Sequence, residues 1–295
     1  MYELVVANAL WGQKGTAVRP EFGRLLKDSY GAELSEADFS KPQAAADAIN
    51  GWVAKNTRDK VKDILSPDAL NARTRLVLAN AVYFNSKRRE KFPKDATKDG
   101  KFMADGRDGV TVPLMHLQGD FDYAATDDFQ MLALPYMRDE LSMLIILPKK
   151  VDGIAAVEKA LTADDMTRWL KDRKSTLANV TLPKFRFTSQ FRLSNSLAEM
   201  GMPDAFDPAK ADLSGMTGEK GLYVSEVFHK AFVSVDEEGT EAVAASVIPA
   251  EGEDMAFSPP KPVEFKADHP FVFLIRHSTT GAILFAGRVA NPKGE

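Results

Sequence analysis

Apolar and polar positions change period several times along this chain, and each change predicts an element. Tyr2 to Trp11 is apolar and β-prone, which predicts a strand ended by the turn GQKG at Gly12 to Gly15. From Glu21 to Tyr30 the period becomes helical, with Phe22, Leu25, Leu26 and Tyr30 on one face. Lys41 to Leu65 holds two more helical runs, one carrying Ala44, Ile49, Trp52 and Val53, the other Val61, Ile64 and Leu65. A polar turn around Asn56 to Lys60 joins them. After Ser66-Pro67 comes TRLVLANAVYFNS, nearly continuously apolar and rich in β-branched and aromatic residues. That pattern predicts a central strand covered on both faces.

Three strand-like runs, VTVPLMHL, FQMLALPY and ELSMLIILP, lie between Val110 and Pro148. Helical spacing returns from Val151 to Leu170, with Thr162 as N-cap of ADDMTRWL. NVTLPKFRF alternates like one strand, and Leu193 to Met200 reads as a short helix closed by Gly201. The remainder is strand-like: GLYVSEVFHKAFVSVDE, KPVEFKA, HPFVFLIRH and GAILFAGRV. Helices early and strands late predict an α+β single domain over residues 1–295 with more than one sheet. No internal repeat or linker divides the chain.

Composition narrows the chemistry. The chain has 295 residues, 44% of them hydrophobic, enough to bury a large core. Lys and Arg total 38 against 42 Asp and Glu, for a net charge of -4, and no window combines basic and aromatic residues as nucleic-acid binding requires. There is no Cys, which removes disulfides, thiolate metal sites and cysteine nucleophiles. No apolar run reaches the roughly eighteen residues of a membrane-spanning helix, and the start MYELVVANALW lacks the basic first residues of a signal peptide. His116, His229, His269 and His277 are far apart and lack metal-ligand spacing. HExxH, GxSxG and GxxxxGK[ST] are absent. DLSGM at Asp212 to Met216 lacks the strand-then-helix elbow of a nucleophile, and Asp127-Asp128 and the acids of Glu251 to Asp254 read as solvated loops. No catalytic residues, metal or cofactor are therefore expected.

One stretch resists a simple reading. EEGTEAVAASV, Glu237 to Val247, leads into PAEGEDMAFSPPKP. Local propensity makes it an Ala-rich helix capped by Thr240 and stopped at Pro249. As a strand it places Thr240, Ala242, Ala244, Ser246 and Ile248 on one face, and Glu241, Val243, Ala245 and Val247 on the other. A segment able to live both as an exposed loop and as a strand is a candidate for insertion into a sheet.

Several ordered stretches carry a family likeness: ANALWGQKG, YGAELSEADFS, INGWVAKNT, TRLVLANAVYF, VPLMHLQGDFDYA, LALPY, LPKF, FHKAFVSVDEEGTEA and HPFVFLIRHSTTGAILFAGRVANP. On these the chain resembles the serpins, the serine protease inhibitors, over essentially its whole length. The resemblance implies three β-sheets with surrounding helices, a metastable native state and an exposed reactive loop from Glu237 to about Pro262. It implies an inhibitor of serine-type endopeptidases, with cysteine-type ones as a second class. The target cleaves the loop and is held as an acyl-enzyme while the cut loop enters the main sheet between TRLVLANAVYF and the strand ending at Asp236. The alternatives are a non-inhibitory binding or chaperone-like protein of this fold, or a shortened serpin cleaved as a plain substrate. The partners implied are a target serine protease of chymotrypsin or elastase type and neither nucleic acid nor membrane. The protein would be a monomer capable of loop–sheet polymerisation, in an extracellular setting.

By the same resemblance, Glu237 stands at the base of a hinge at Gly239 and Thr240, followed by the small residues Ala242, Ala244, Ala245 and Ser246. Charged, bulky or proline residues, frequent there in non-inhibitory members, are missing apart from Glu241. Asn80 and His229 match a pair hydrogen-bonded where the two central strands part, and Lys184 and Glu237 match a salt bridge at the end of that gap. The scissile bond has two placements. Counting from Gly239 reaches Glu253-Asp254, whereas counting back from Pro259-Pro260 reaches Ala256 or Phe257. An apolar specificity pocket accepts Met255 or Phe257 and an acid-preferring one accepts Glu253; the cost of a bare carboxylate in an apolar pocket favours the apolar pair. The likeness has two departures. Arg88 stands where the family usually carries Trp, and the match begins at the second strand of the main sheet, so the family's N-terminal helices are expected to be missing.

Overall fold

The computed structural model describes residues 3–86, 88–104, 109–237 and 261–294. The chain separates into two compact units, one of residues 1–2, 86–186 and 234–295, the other of residues 3–85 and 187–233.

The second unit is built on a five-stranded sheet. Its strands are β1 (Glu3–Gln13), β2 (Glu33–Ala37), β3 (Leu76–Asn85), β9 (Phe185–Arg192) and β10 (Glu226–Val235), in the order β2-β1-β3-β10-β9. β3 is central, as its apolar run predicts. It is antiparallel to β1 and parallel to β10, with unbroken register from Glu226↔Val77 to Val233↔Phe84. Alternation sorts the side chains. Ala7, Ala9 and Trp11 of β1 join Val77, Ala79, Ala81 and Tyr83 of β3 and Phe228 of β10 in one core. Helix α2 (Pro42–Asn56) closes that face with Ala45, Ala46, Ile49 and Val53. Leu10 and Leu76 point to the other face, where Phe22 and Leu26 of α1 (Pro20–Tyr30) pack.

Three readings of this unit are corrected. The face expected of α1 is half right: Leu25 and Tyr30 are 51% and 67% exposed. In α2, Ala44 is exposed and its neighbours Ala45 and Ala46 are buried instead. The run Val61, Ile64 and Leu65 is buried but not helical. Arg58, Asp59 and Asp63 hold φ of 52°, 59° and 52°, which a right-handed helix cannot contain. Side chains take over the backbone pairing. Asn50 Nδ2 donates to the Leu65 carbonyl at 2.9 Å, the Leu65 N–H donates to Asn50 Oδ1 at 3.2 Å, and Thr57 Oγ1 accepts from the Val61 N–H at 3.1 Å.

The first unit carries an eight-stranded sheet. Besides β4 (Lys98–Phe102) it holds β5 (Val110–Ala125), β6 (Phe129–Pro135), β7 (Leu141–Pro148), β8 (Lys174–Pro183), β11 (Val263–Lys266), β12 (Phe271–His277) and β13 (Ile283–Val289). The order is β11-β8-β5-β6-β7-β12-β13, with β4 pairing β5. The resemblance implies three sheets; among the described residues two of them are hydrogen-bonded into one. The join is β5, whose 16 residues pair with β4 at one end and β6 at the other. Every residue of β7 is buried, and Met131, Leu144, Ile146, Val272 and Leu274 form its core with Trp169. Trp169 comes from α4 (Ala163–Lys171), which follows α3 (Ile154–Ala160) and is capped as expected by Thr162, whose hydroxyl accepts from the Asp165 N–H at 3.1 Å. NVTLPKFRF is not one strand. It divides at Lys184 into the ends of β8 and β9, which belong to different sheets. Helix α5 (Ser194–Glu199) is short, and Gly201 beyond it takes φ 110°.

Candidate functional site

Two polar clusters interrupt these apolar strands. The first is a single rung across the five-stranded sheet. Asn8 of β1 is the register partner of Asn80 of β3, and Asn80 is the register partner of His229 of β10. Strand alternation turns all three side chains away from the core that α2 covers. His229 Nδ1 lies 2.5 Å from Asn80 Oδ1, and Asn80 Nδ2 donates to Asn8 Oδ1. The amide oxygen can only accept, so His229 carries its proton on Nδ1 and the bonds run in one direction, His229 to Asn80 to Asn8. Phe191 stacks on the imidazole at 6.1 Å and 20°. Burial pushes the His229 pKa below 6.5, which favours this neutral, donating form.

The second cluster lies in the other unit, where the chain leaves β10. Glu237, 8% exposed, pairs with Lys184 at 2.7 Å and accepts a hydrogen bond from the Thr97 hydroxyl at 2.8 Å. Burial alone would raise its carboxyl pKa. The hydrogen bonds from Lys184, its own backbone and Thr97, with the Lys184 charge, outweigh that and hold it below the usual carboxylate value. One residue earlier, the Asp236 carbonyl accepts from Arg88 Nη1 at 3.2 Å. Arg88 is 3% exposed, bridges to Tyr136 through the backbone and lays its guanidinium over the Phe92 ring at 5.3 Å. Tyr136, equally buried, has its phenol pushed up to about 12 by burial, with the Arg88 charge opposing. Lys184, Asp236, Arg186 and Lys293 also line a cavity of about 340 Å³.

Of the residues singled out in the sequence, Asn80 and His229 are in contact, and so are Lys184 and Glu237. Gly239, Thr240, Ala242, Ala244, Ala245, Ser246, Glu253, Met255, Ala256 and Phe257 lie outside the described residues. Sequence reasoning missed Asn8, Phe191 and Thr97. A signal existed for Asn8: the triplet Ala-Asn-Ala stands at residues 7–9 and again at 79–81, and polar residues in apolar strands pair. Nothing local marks Thr97, which meets Glu237 across 140 positions. Among the described residues, no group of three or more His, Cys, Asp and Glu could hold a metal, and no helix is long and apolar enough to cross a membrane.

Comparisons with known proteins show the family. The family model described as serpin (serine protease inhibitor) matches residues 1–292, and the chain belongs to that family. It is 40% identical over 298 residues to the leukocyte elastase inhibitor of Xenopus tropicalis, covering 99% of this chain and 78% of that protein. An uncharacterized serpin-like protein of Methanosarcina acetivorans is 41% identical over 302 residues, covering 100% of this chain and 69% of that one. The solved native stressed conformation of AtSerpin1 from Arabidopsis superposes with a TM-score of 0.86 at 32% identity, over 99% of this chain and 76% of that one.

Proposed function

We propose that the chain inhibits serine endopeptidases as a suicide substrate, with the segment from Glu237 to about Pro262 as bait and inserting strand. One observation carries the reading: β3 and β10 are direct parallel neighbours. A chain that leaves β10 and turns back runs antiparallel to β10, and therefore to β3 as well. Placed between them, it exchanges one parallel ladder for two antiparallel ones, which pair more stably per residue. Insertion of the reactive loop in this family is an established case of strand addition. About fifteen residues at roughly 3.3 Å each carry a tethered protease about 50 Å.

The chemistry belongs to the protease. Its serine oxygen attacks the scissile carbonyl, the amide bond breaks, the amine of the following residue leaves with a proton, and an ester joins loop to enzyme. Insertion must outrun the water that would hydrolyse that ester. The hinge suits this: Ala242, Ala244 and Ser246 are small enough to pass between packed strands. The Asn80–His229 rung ties β3 to β10, and the Lys184–Glu237 pair fixes the residue from which the loop departs, until cleavage. Relatives named leukocyte elastase inhibitors support an apolar specificity pocket in the target, and with it Met255, Ala256 or Phe257 at the cut rather than Glu253.

Incubation with chymotrypsin-, elastase-, trypsin- and subtilisin-like proteases tests this. The expected product is an SDS-stable complex with a chymotrypsin- or elastase-like enzyme, and the mass of the released peptide locates the bond. Cleavage across the whole panel without any complex would overturn the proposal and leave a plain substrate of this fold.

A further inference from the structure

We propose that Arg88 is a buried charge that loads the uncleaved chain toward insertion: it is held under the base of the hinge in a place that pairs only part of its guanidinium. A guanidinium presents five N–H donors. Here Arg88 Nη1 meets the Asp236 carbonyl at the long distance of 3.2 Å, and Nε, fully enclosed, has no partner. Trp11 Nε1 is the other enclosed side-chain atom left so among the described residues. The Phe92 ring at 5.3 Å offers a π face, which returns part of what water would give. A buried charge with incomplete hydrogen bonding raises the free energy of the state that buries it; burial dominates at Arg88, with the Tyr136 and Asp236 charges opposing it only in part.

The position makes that cost useful. Asp236 immediately precedes Glu237, so the carbonyl that holds Arg88 moves when the hinge swings into the sheet. Opening this corner admits water to the guanidinium and relieves the cost. The uncleaved state alone bears the penalty, which lowers the barrier to insertion. Arg88 touches neither protease nor scissile bond. It acts through Asp236 and is a positioning residue.

The inference rests on the inhibitory reading for its kinetic half only. Arg88→Met removes the charge and keeps the stem; Arg88→Lys keeps the charge. In the uncleaved protein, Arg88→Met is expected to raise the thermal midpoint by several degrees, with Arg88→Lys at or below the parent. Against a protease that the parent traps, Arg88→Met is expected to shift the partition from complex to turnover. A given fold-slowing of insertion multiplies the ratio of turned-over to trapped inhibitor by the same factor, while Arg88→Lys keeps the parent's partition. A midpoint that falls in Arg88→Met, failure of that variant to fold, or a raised midpoint with unchanged partition overturns the proposal. A parent that traps no protease counts against the inhibitory reading instead, and the midpoints still decide whether Arg88 burdens the uncleaved state.

Discussion

His229 and His269 sit in different units, and their pKa values are shifted in opposite directions. His269 is 7% exposed; its Nε2 lies 2.7 Å from the Pro148 carbonyl and its Nδ1 2.9 Å from Asp268 Oδ1. Both nitrogens face acceptors, so the doubly protonated ring satisfies both. Burial pulls its pKa down, but the bonds to Asp268 and Pro148 and the Asp268 charge outweigh burial and raise it above 6.5. Its contribution to stability is therefore complete below pH 6.5 and is lost as the pH rises through the raised value. For His229, burial lowers the pKa, so stability is kept above pH 6.5 and lost as acid protonates the ring against the Asn80 bond. Denaturant midpoints measured against pH are expected to lose the part of their acid-side fall that begins just below pH 6.5 in His229→Gln, the carboxylate part at lower pH remaining, and the fall that begins just above pH 6.5 in His269→Gln. Parallel pH profiles in the two variants and the parent would contradict the assignment. Neither shift is legible in the sequence: burial in the folded sheet sets the sign for His229, and for His269 the adjacent Asp268 acts together with the Pro148 carbonyl, 121 positions away.

At the scale of elements, the apolar run of β3 and the alternation of β1 and β10 were legible because period two and residue type agree along each strand. The elements misread are those whose backbone is satisfied from elsewhere. Residues 61–65 borrow hydrogen bonds from Asn50 and Thr57, and β8 and β9 part at Lys184 because the two ends pair into different sheets. The proposed insertion supplies an element-level prediction. A central strand between β3 and β10 gives an N–H to the ladder at alternate positions on each side, and proline has none to give. Ala244→Pro leaves a buried partner unsatisfied at about 1–3 kcal/mol, roughly a 5- to 150-fold loss of covalent complex. Gel quantification of complex against cleaved chain checks this; an undiminished yield would show that Ala244 does not enter the sheet.

For the whole molecule, insertion predicts a difference between uncleaved and cleaved forms of the same chain. Cutting a loop ordinarily lowers stability. Here each added ladder bond contributes about 0.5–1.5 kcal/mol, so a full inserted strand raises the thermal midpoint by on the order of 10 °C or more. Calorimetry before and after limited proteolysis reads this directly, and a cleaved form that melts no higher would refute insertion. The α+β class, most strands, the helices α1, α2 and α4 and the ordered family motifs were set by the sequence, because period, capping and residue type act within a few positions of each other. The parallel contact of β3 with β10, the Asn8–Asn80–His229 rung, the closure of Thr97 and Lys184 on Glu237 and the enclosure of Arg88 were decided only by tertiary structure. Each joins groups brought together by strand pairing and burial from distant parts of the chain, and no local pattern records which acceptor a buried donor will meet.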